Sequence, residues 1–472
     1  ALSNGGYEHI TFGELARWSN RVANHLAASG LAKGDRVAIM LEPGLAFYAL
    51  LLGSMKAGLV AVPLFTLFGP DGLALRLDDC TPGVLFTAEE LKATAVEASR
   101  GRKMPPRVVV ADKAFLATIA GAGDTFQATT TSGDMAMYQY TSGTTRELPE
   151  AVKHRHRAIV TVAVAALYAT GVRPGDRFMC PSSPAWGHGL WHGTLGPLGL
   201  GVEIASYAGR FRPERLLEAL SDLEITNLSA AATHYRMMRN SGAAGHYRYH
   251  LQKLSFTGEP IDDETALWAK ETFGRLPCSI YGSTEVGVII ADYPGAGDHA
   301  VRLGALGKPV PGQTVAVLDA SGAPCPPGQV GEIMLQRRDS WFPSKDLGLV
   351  DEDGYFYHRG RADDVIISAG WTMSAVEIEN TLLAHPAVAE AAAIGVPDAQ
   401  RGQVVKAFIV TRDRVGDDGL ADELQQFTKQ RLSAHEYPRQ IAFVGELPKS
   451  TTGKIARAKL REAEARARGE TN

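Results

Sequence analysis

The sequence predicts an α/β protein. A large N-terminal domain of layered βαβ sheets with a β-rich subdomain is followed by a small, mobile α+β C-terminal domain. Two observations carry the layered part and one carries the division. Short apolar β-type runs alternate with helical patterns from Thr11 to Ser229, the rhythm of βαβ units layered with helices. From about Val315 the texture becomes hairpin-like, VAVLDASGAPCPPGQVGEIMLQ, with Gly and Pro at the turns. Beyond Asp363 a helix, two strands, a helix and a strand form a self-contained α+β pattern.

The elements follow in order. Thr11-Phe12-Gly13-Glu14 has the capping-box pattern, Leu15, Trp18, Val22 and Leu26 recur at helical spacing, and Gly30 is expected to end the helix. Strands are expected at Val37–Met40, Val60–Leu64, Val84–Thr87 and Val108–Ala111, with a helix over Leu45–Lys56. Further on, helices are expected over Ile159–Thr170 and Pro213–Leu223, and strands over Val202–Ser206 and Ile225–Ser229. In the last part, helices cover Ala375–Ala384 and Leu420–Leu432. Strands there cover Val388–Ile394, Val404–Val410 and Gln440–Val444.

A chain of 472 residues with 45% hydrophobic and 21% charged residues is an ordinary globular composition, long enough for two or three lobes. The net charge of −4 offers no broad basic field for nucleic acid or an anionic membrane. Cys80, Cys180, Cys278 and Cys325 form no CxxC pair, so neither zinc nor a redox dithiol is indicated and reduced thiols are expected. The opening ALSNGGYEHI has neither a basic start nor an apolar run, and the most apolar stretch, Gly44 to Phe65, is broken by Lys56 and Pro63. A cytoplasmic protein with no membrane span is therefore expected, as monomer or homodimer.

Four motifs carry chemistry. Tyr140-Thr141-Ser142-Gly143-Thr144-Thr145 clusters hydroxyls around a glycine, a composition that wraps phosphate oxygens with N–H and O–H donors but also builds plain loops. It is not a GxxxxGK[ST] loop. Ser279-Ile280-Tyr281-Gly282-Ser283-Thr284-Glu285-Val286-Gly287 offers an aromatic to cover a flat base, then a hydroxyl and a carboxylate for phosphate and Mg²⁺; the bland alternative is a strand ending in a turn. Asp346, then Asp351-Glu352-Asp353-Gly354 and Gly360-Arg361-Ala362-Asp363, can clamp vicinal hydroxyls or form a solvated hairpin. Leu447-Pro448-Lys449-Ser450-Thr451-Thr452-Gly453-Lys454 ends on a lysine that a mobile domain can carry into a site, or that stays in solvent.

Taken in this order, from Tyr7 to Leu460, the motifs resemble the adenylate-forming superfamily: acyl-CoA synthetases, peptide-synthetase adenylation domains and firefly-type luciferases. The resemblance implies an N-terminal domain over 1–360, a small C-terminal domain over 363–472 and a hinge at Asp363. It implies ATP, Mg²⁺ and CoA as cofactors and co-substrates. Thr141, Ser142, Gly143, Thr144 and Thr145 would grip the phosphates. Gly258, Glu259 and Pro260 would lie against adenine, with Tyr281 stacking on it. Thr284 would contact the α-phosphate, Glu285 would hold Mg²⁺, and Asp346 and Arg361 would bind the ribose. Lys454 would stabilise the adenylation transition state, after which the small domain would rotate and bring Gly370 and Trp371 to the thiol.

Two positions depart from the family pattern. Where the phosphate loop usually continues with Gly and then Pro-Lys-Gly, this chain has Arg146-Glu147-Leu148-Pro149-Glu150-Ala151, so phosphate affinity is in question. Arg146 or the run Lys153-His154-Arg155-His156-Arg157 would restore the charge, unless that run is a solvated helix start. Thr372 stands where several relatives have an arginine said to contact CoA.

The acyl pocket is expected to use Trp186, His188, Gly189 and Gly282. Acetate-specific relatives place a tryptophan where this chain has Gly282, so the resemblance implies an acid larger than acetate. His188 and His192 are either pocket walls or packed core histidines. The implied activity is an AMP-forming carboxylic acid–CoA ligase acting on a medium-chain or aryl acid. The alternatives are a stand-alone adenylation domain of peptide-synthetase type, against which the absence of aspartate from Ser182 to His192 argues, and a nucleotide-binding protein that has lost catalysis.

Overall fold

The computed structural model describes residues 5–140, 150–283, 286–361, 365–368, 371–398, 401–412, 415–432, 437–449 and 455–468. By contacts the chain divides into two compact units, Ala1–Val301 and Arg302–Asn472.

The first unit opens on helix Phe12–Ala27, with the expected capping box: Thr11 Oγ1 accepts from Glu14 N at 3.1 Å and Glu14 Oε2 accepts from Thr11 N at 2.8 Å. Ala28 caps its C-terminus, and Gly30 turns the chain just beyond with φ +82°. Helix Leu45–Lys56 packs on it so closely that a Cβ on Gly53 would lie 2.6 Å from Val22 Cγ1, which is why that position is glycine. Both helices cover a sheet ordered Arg107–Val110, Val84–Thr87, Arg36–Met40, Val60–Pro63, Met135–Gln139 and Val152–Arg155. All neighbours are parallel except the last pair. The basic run from Lys153 is thus the antiparallel edge strand of this sheet, not the start of a helix. Helix Ala158–Tyr168 begins only after it.

A second sheet of this unit runs Gly287–Ala291, Cys278–Ser283, Lys253–Thr257, Asn227–Ala231, Phe178–Cys180 and Ile204–Ser206, parallel apart from the first pair. The strand expected at Ile225–Ser229 lies two residues further on, because Thr226 serves the turn: its Oγ1 accepts from Arg177 N at 3.0 Å.

The second unit contains the expected hairpins, a sheet ordered Val315–Leu318, Gly331–Arg337, Ser340–Val350 and Phe356–Arg361. It also contains the α+β part. There, strands Val388–Asp398 and Gly402–Thr411 pair antiparallel, Gln440–Phe443 adds in parallel, and helices Ala375–Leu383 and Asp418–Arg431 bury Ile378, Leu382, Leu420 and Leu424. By contacts the hairpin sheet groups with the α+β part, helix Ala375–Leu383 packing on strand Phe356–Arg361. Asp363 itself lies outside the described residues.

Candidate active site

The expected phosphate loop, residues 141–145, falls within 141–149, which lie outside the described residues; the residues flanking that stretch are described. Tyr140, 3% exposed, donates its hydroxyl to Asp79 Oδ2 at 2.7 Å, and Ala151 N donates to the same oxygen at 3.1 Å. One carboxylate on helix Pro70–Cys80 therefore pins the entry and the exit of the loop. Nothing in the motif pointed to Asp79, which lies 61 residues away in sequence from Tyr140.

The segment Gly258-Glu259-Pro260 follows strand Lys253–Thr257. Glu259 Oε1 accepts from Thr233 Oγ1 at 2.7 Å and from Arg236 at 3.1 Å, both on helix Ala232–Ser241. Thr233 and Arg236 sit three apart, on one helical face. Gly258 has φ +98°, and a Cβ there would meet Trp186 Cη2 at 3.1 Å. Trp186 thus lies against Gly258, joining a residue expected in the acyl pocket to one expected beside adenine.

Tyr281 stands on strand Cys278–Ser283, opposite Ile290 of Gly287–Ala291, with a bulge between Tyr281 and Gly282. The strand is held from behind. Buried Asp292 accepts from Ser279 N at 3.2 Å through Oδ2 and pairs with His299 Nε2 at 3.1 Å through Oδ1. Burial pushes the Asp292 carboxyl up, and the His299 hydrogen bond works against that push. Gly282 has a backbone reason for being glycine: a Cβ would fall 2.0 Å from the Gly287 carbonyl oxygen. Its lack of a side chain follows from the bulged hairpin here, whatever acid is bound. Thr284 and Glu285 lie outside the described residues.

Trp186 leads into a π-helix, His188–Leu195, whose eight residues are all buried. Single π turns are common at functional sites, and a whole turn-and-a-half is rare. Gly189 permits it, since a Cβ there would strike Ser183 O at 2.2 Å. His188 is bonded at both ring nitrogens, Nδ1 with Ser182 Oγ at 3.0 Å and Nε2 with Ser229 Oγ at 2.8 Å. Ser255 Oγ continues the chain to Ser229 at 2.8 Å. His188 is therefore a satisfied core histidine, held well below its usual pKa by burial. His192, 9% exposed, is pushed down to about 4 by burial. Its Nδ1 is buried and has no hydrogen-bond partner among the described residues.

In the second unit, Asp346 and Arg361 occupy directly opposed positions of neighbouring strands. Directly opposed positions of an antiparallel pair have their Cβ atoms about 5 Å apart in general, so the register is the one a two-residue clamp would need. Asp346 also has His358 Nε2 at 3.8 Å. Asp351, Glu352 and Asp353 belong to the turn instead. Asp351 Oδ1 caps Asp353 N at 3.0 Å and Tyr355 N at 2.8 Å, Gly354 takes φ +81°, and Arg302 binds Asp351 and Asp353. Trp371 opens strand Trp371–Ser374, opposite Ser368, while Gly370 lies outside the described residues.

Lys454 is also outside them, while Lys449 and the residues from Ile455 on are described. An antiparallel bridge joins Lys449 and Ile455, and Ala456 N donates to Pro448 O at 2.8 Å. Arg457, at the start of helix Arg457–Ala467, grips buried Glu379 with Nε at 2.9 Å from Oε1 and a second hydrogen bond to Oε2. Glu379 Oε1 also takes Ala393 N at 2.7 Å. Helix Arg457–Ala467 is thereby tied at its start to the core of the unit.

Residues 1–340 match the family model for AMP-binding enzymes, and residues 377–454 match the model for the AMP-binding enzyme C-terminal domain. Acetyl-coenzyme A synthetase of Bacillus subtilis (strain 168) is 31% identical over 96% of this chain and 85% of its own length. A 3-hydroxybenzoate–CoA ligase of Aromatoleum sp. (strain CIB) is 30% identical over 97% of this chain and 92% of its own. The crystal structure of an anthranilate CoA ligase in complex with anthranoyl-AMP superposes with a TM-score of 0.88 at 27% identity, covering 99% of this chain and 94% of that one. The chain belongs to the AMP-binding enzyme family, the adenylate-forming superfamily, and its relatives there are acyl-CoA ligases.

Proposed function

We propose that the protein is an AMP-forming carboxylic acid–CoA ligase, activating its acid as an acyl-adenylate and passing the acyl group to CoA. The observation that carries this is the opposed pair Asp346 and Arg361, two residues picked as a ribose clamp and found in strand register. Alongside them stand an adenine segment fixed by Thr233 and Arg236 and a phosphate loop pinned at both stems by Asp79.

The chemistry explains the inventory. A carboxylate is a poor electrophile. Attack of its oxygen on the α-phosphorus of ATP expels pyrophosphate and leaves a mixed anhydride, which a thiolate sulfur then opens, releasing AMP. The first step gathers negative charge, which the ammonium of Lys454 offsets at the carboxylate and α-phosphate. Glu285, an oxygen donor of the kind Mg²⁺ takes, would hold that ion near the phosphates, where it supplies charge neutralisation. Trp186, lying against Gly258, places the acid's tail beside the nucleotide. Gly370 and Trp371 serve the thioester step.

The acid is larger than acetate, medium-chain or aryl. A 3-hydroxybenzoate–CoA ligase and an anthranilate CoA ligase among the similar proteins favour this; the similarity to an acetyl-coenzyme A synthetase weighs the other way. The absence of aspartate from Ser182 to His192 disfavours an amino acid substrate. Among the described residues no helix is long and apolar enough to cross a membrane, and all four cysteines are free, as suits a cytoplasmic enzyme.

Separating the half-reactions tests this reading. Lys454→Ala should lower acid-dependent pyrophosphate exchange by about 100-fold or more, while thioester formation from supplied acyl-adenylate and CoA keeps most of its rate. Equal survival of both steps would remove Lys454 from its assigned role.

A further inference from the structure

Two histidines share the buried π-helix, and their surroundings differ in one respect. His188 is saturated: Ser182 takes one nitrogen and Ser229 the other. His192 is just as deeply placed, yet its Nδ1 has no hydrogen-bond partner among the described residues. Buried polar atoms without a partner are uncommon in native proteins, and each calls for an explanation.

The position of His192 supplies one. Gly258, beside the expected adenine position, would bring a Cβ within 3.1 Å of the Trp186 indole. The Trp186 ring meets His188 edge-on at 5.5 Å, and His188 lies 6.4 Å from His192. These rings form a continuous run leading away from the nucleotide end, with His192 at its far end. Along that run both His188 nitrogens are taken by serines, so the buried ring nitrogen left without a partner among the described residues is His192 Nδ1. A carboxylic acid whose tail ends in a polar group would bring that group to it.

Resting on the ligase reading above, we propose that His192 selects a carboxylic acid with a hydrogen-bonding substituent on its tail, a hydroxyl or amino group on an aromatic ring or medium-length chain, by bonding that group through Nδ1. A hydroxyl both donates and accepts, so it satisfies either tautomer of a neutral imidazole; an amino group donates to the unprotonated nitrogen. A site built to bond a polar substituent rejects the analogue that lacks it, because its own buried atom is then left unpaired.

The test measures kcat/KM for acid-dependent pyrophosphate exchange with matched acids: benzoate against its 2-amino, 3-hydroxy and 4-hydroxy derivatives, and octanoate against 8-hydroxyoctanoate. The wild-type protein should favour at least one substituted acid over its parent by about 10-fold or more. His192→Phe should bring that ratio close to one by lowering activity on the substituted acid, and His192→Asn, which keeps a polar amide, should retain part of it. Parents used as well as every substituted partner would overturn the proposal while leaving adenylation, and so the ligase reading, in place. Exchange with no acid at all would instead overturn the ligase reading, and the proposal with it. If His192→Phe fails to fold, the wild-type ratios decide alone.

Discussion

His188 and His192 stand four residues apart and look alike in sequence, yet the fold gives them different work. Sequence could offer only pocket wall or core packing for both. What separates them is the spacing of Ser182 and Ser229, brought to His188 by strands that the sequence does not show to be neighbours. Burial of His192 also has a consequence for stability. Its folded pKa of about 4 lies below the ordinary 6.5, so the unfolded chain takes up a proton that the folded chain refuses. The contribution is fully present above pH 6.5 and is lost as pH falls from there to about 4. Between pH 7 and pH 5 this one group should cost about 2 kcal/mol. Urea unfolding of wild type and His192→Phe at the two pH values checks it: the variant should lose less stability on acidification. An identical loss in both would show that His192 titrates normally. Gly282 teaches a second lesson at this scale. Its meaning looked like a matter of substrate size, but the Gly287 carbonyl behind it demands glycine in any case, and only backbone geometry could reveal that.

Among the elements, regular helices and strands were legible because local patterns specify them. The capping box at Thr11, helix Leu45–Lys56 and the C-terminal helices came out within a residue or two where hydrophobic period and caps agree, while the strand expected at Val388–Ile394 runs on to Asp398. The π-helix His188–Leu195 was not legible, since its apolar, glycine-rich sequence carries no period and its form depends on Gly189 passing close to Ser183. The basic run from Lys153 misled for a related reason: its charges lie on an edge strand paired to Met135–Gln139, a partner distant in sequence. Sequence could name candidate motif residues but not the residues that support them. Asp79 is the clearest support, one carboxylate bonded to both stems of the phosphate loop. Asp79→Ala should raise the KM for ATP about 10-fold, in line with the loss of two hydrogen bonds to a charged group, while changing the KM for the acid less. Steady-state kinetics with each substrate varied in turn measures this, and an ATP KM that does not move would mean the loop holds its shape without Asp79.

For the molecule as a whole, the residues proposed to bind the nucleotide belong to two compact units by sequence range: residues 141–145, Glu259 and Tyr281 to the first, Asp346, Arg361 and Lys454 to the second. A reaction that needs all of them requires the second unit to hold its shape when it presents Lys454. The Glu379–Arg457 pair is the place where that can be tested. Removing one partner of a buried, hydrogen-bonded ion pair costs about 3–5 kcal/mol. Glu379→Ala should therefore lower the unfolding midpoint of the second unit in differential scanning calorimetry and slow adenylation more than thioester formation from supplied acyl-adenylate. Calorimetry unchanged from wild type would show that the segment bearing Lys454 is anchored elsewhere.

The most direct measurement is of the products of ATP itself. Incubated with ATP, Mg²⁺, CoA and a hydroxybenzoate or medium-chain acid, the protein should release AMP and pyrophosphate in equal amounts, seen by ³¹P NMR, while free thiol disappears one for one with AMP. ADP and phosphate as products, or AMP formed with no loss of thiol, would contradict an acid–CoA ligase that works through an acyl-adenylate.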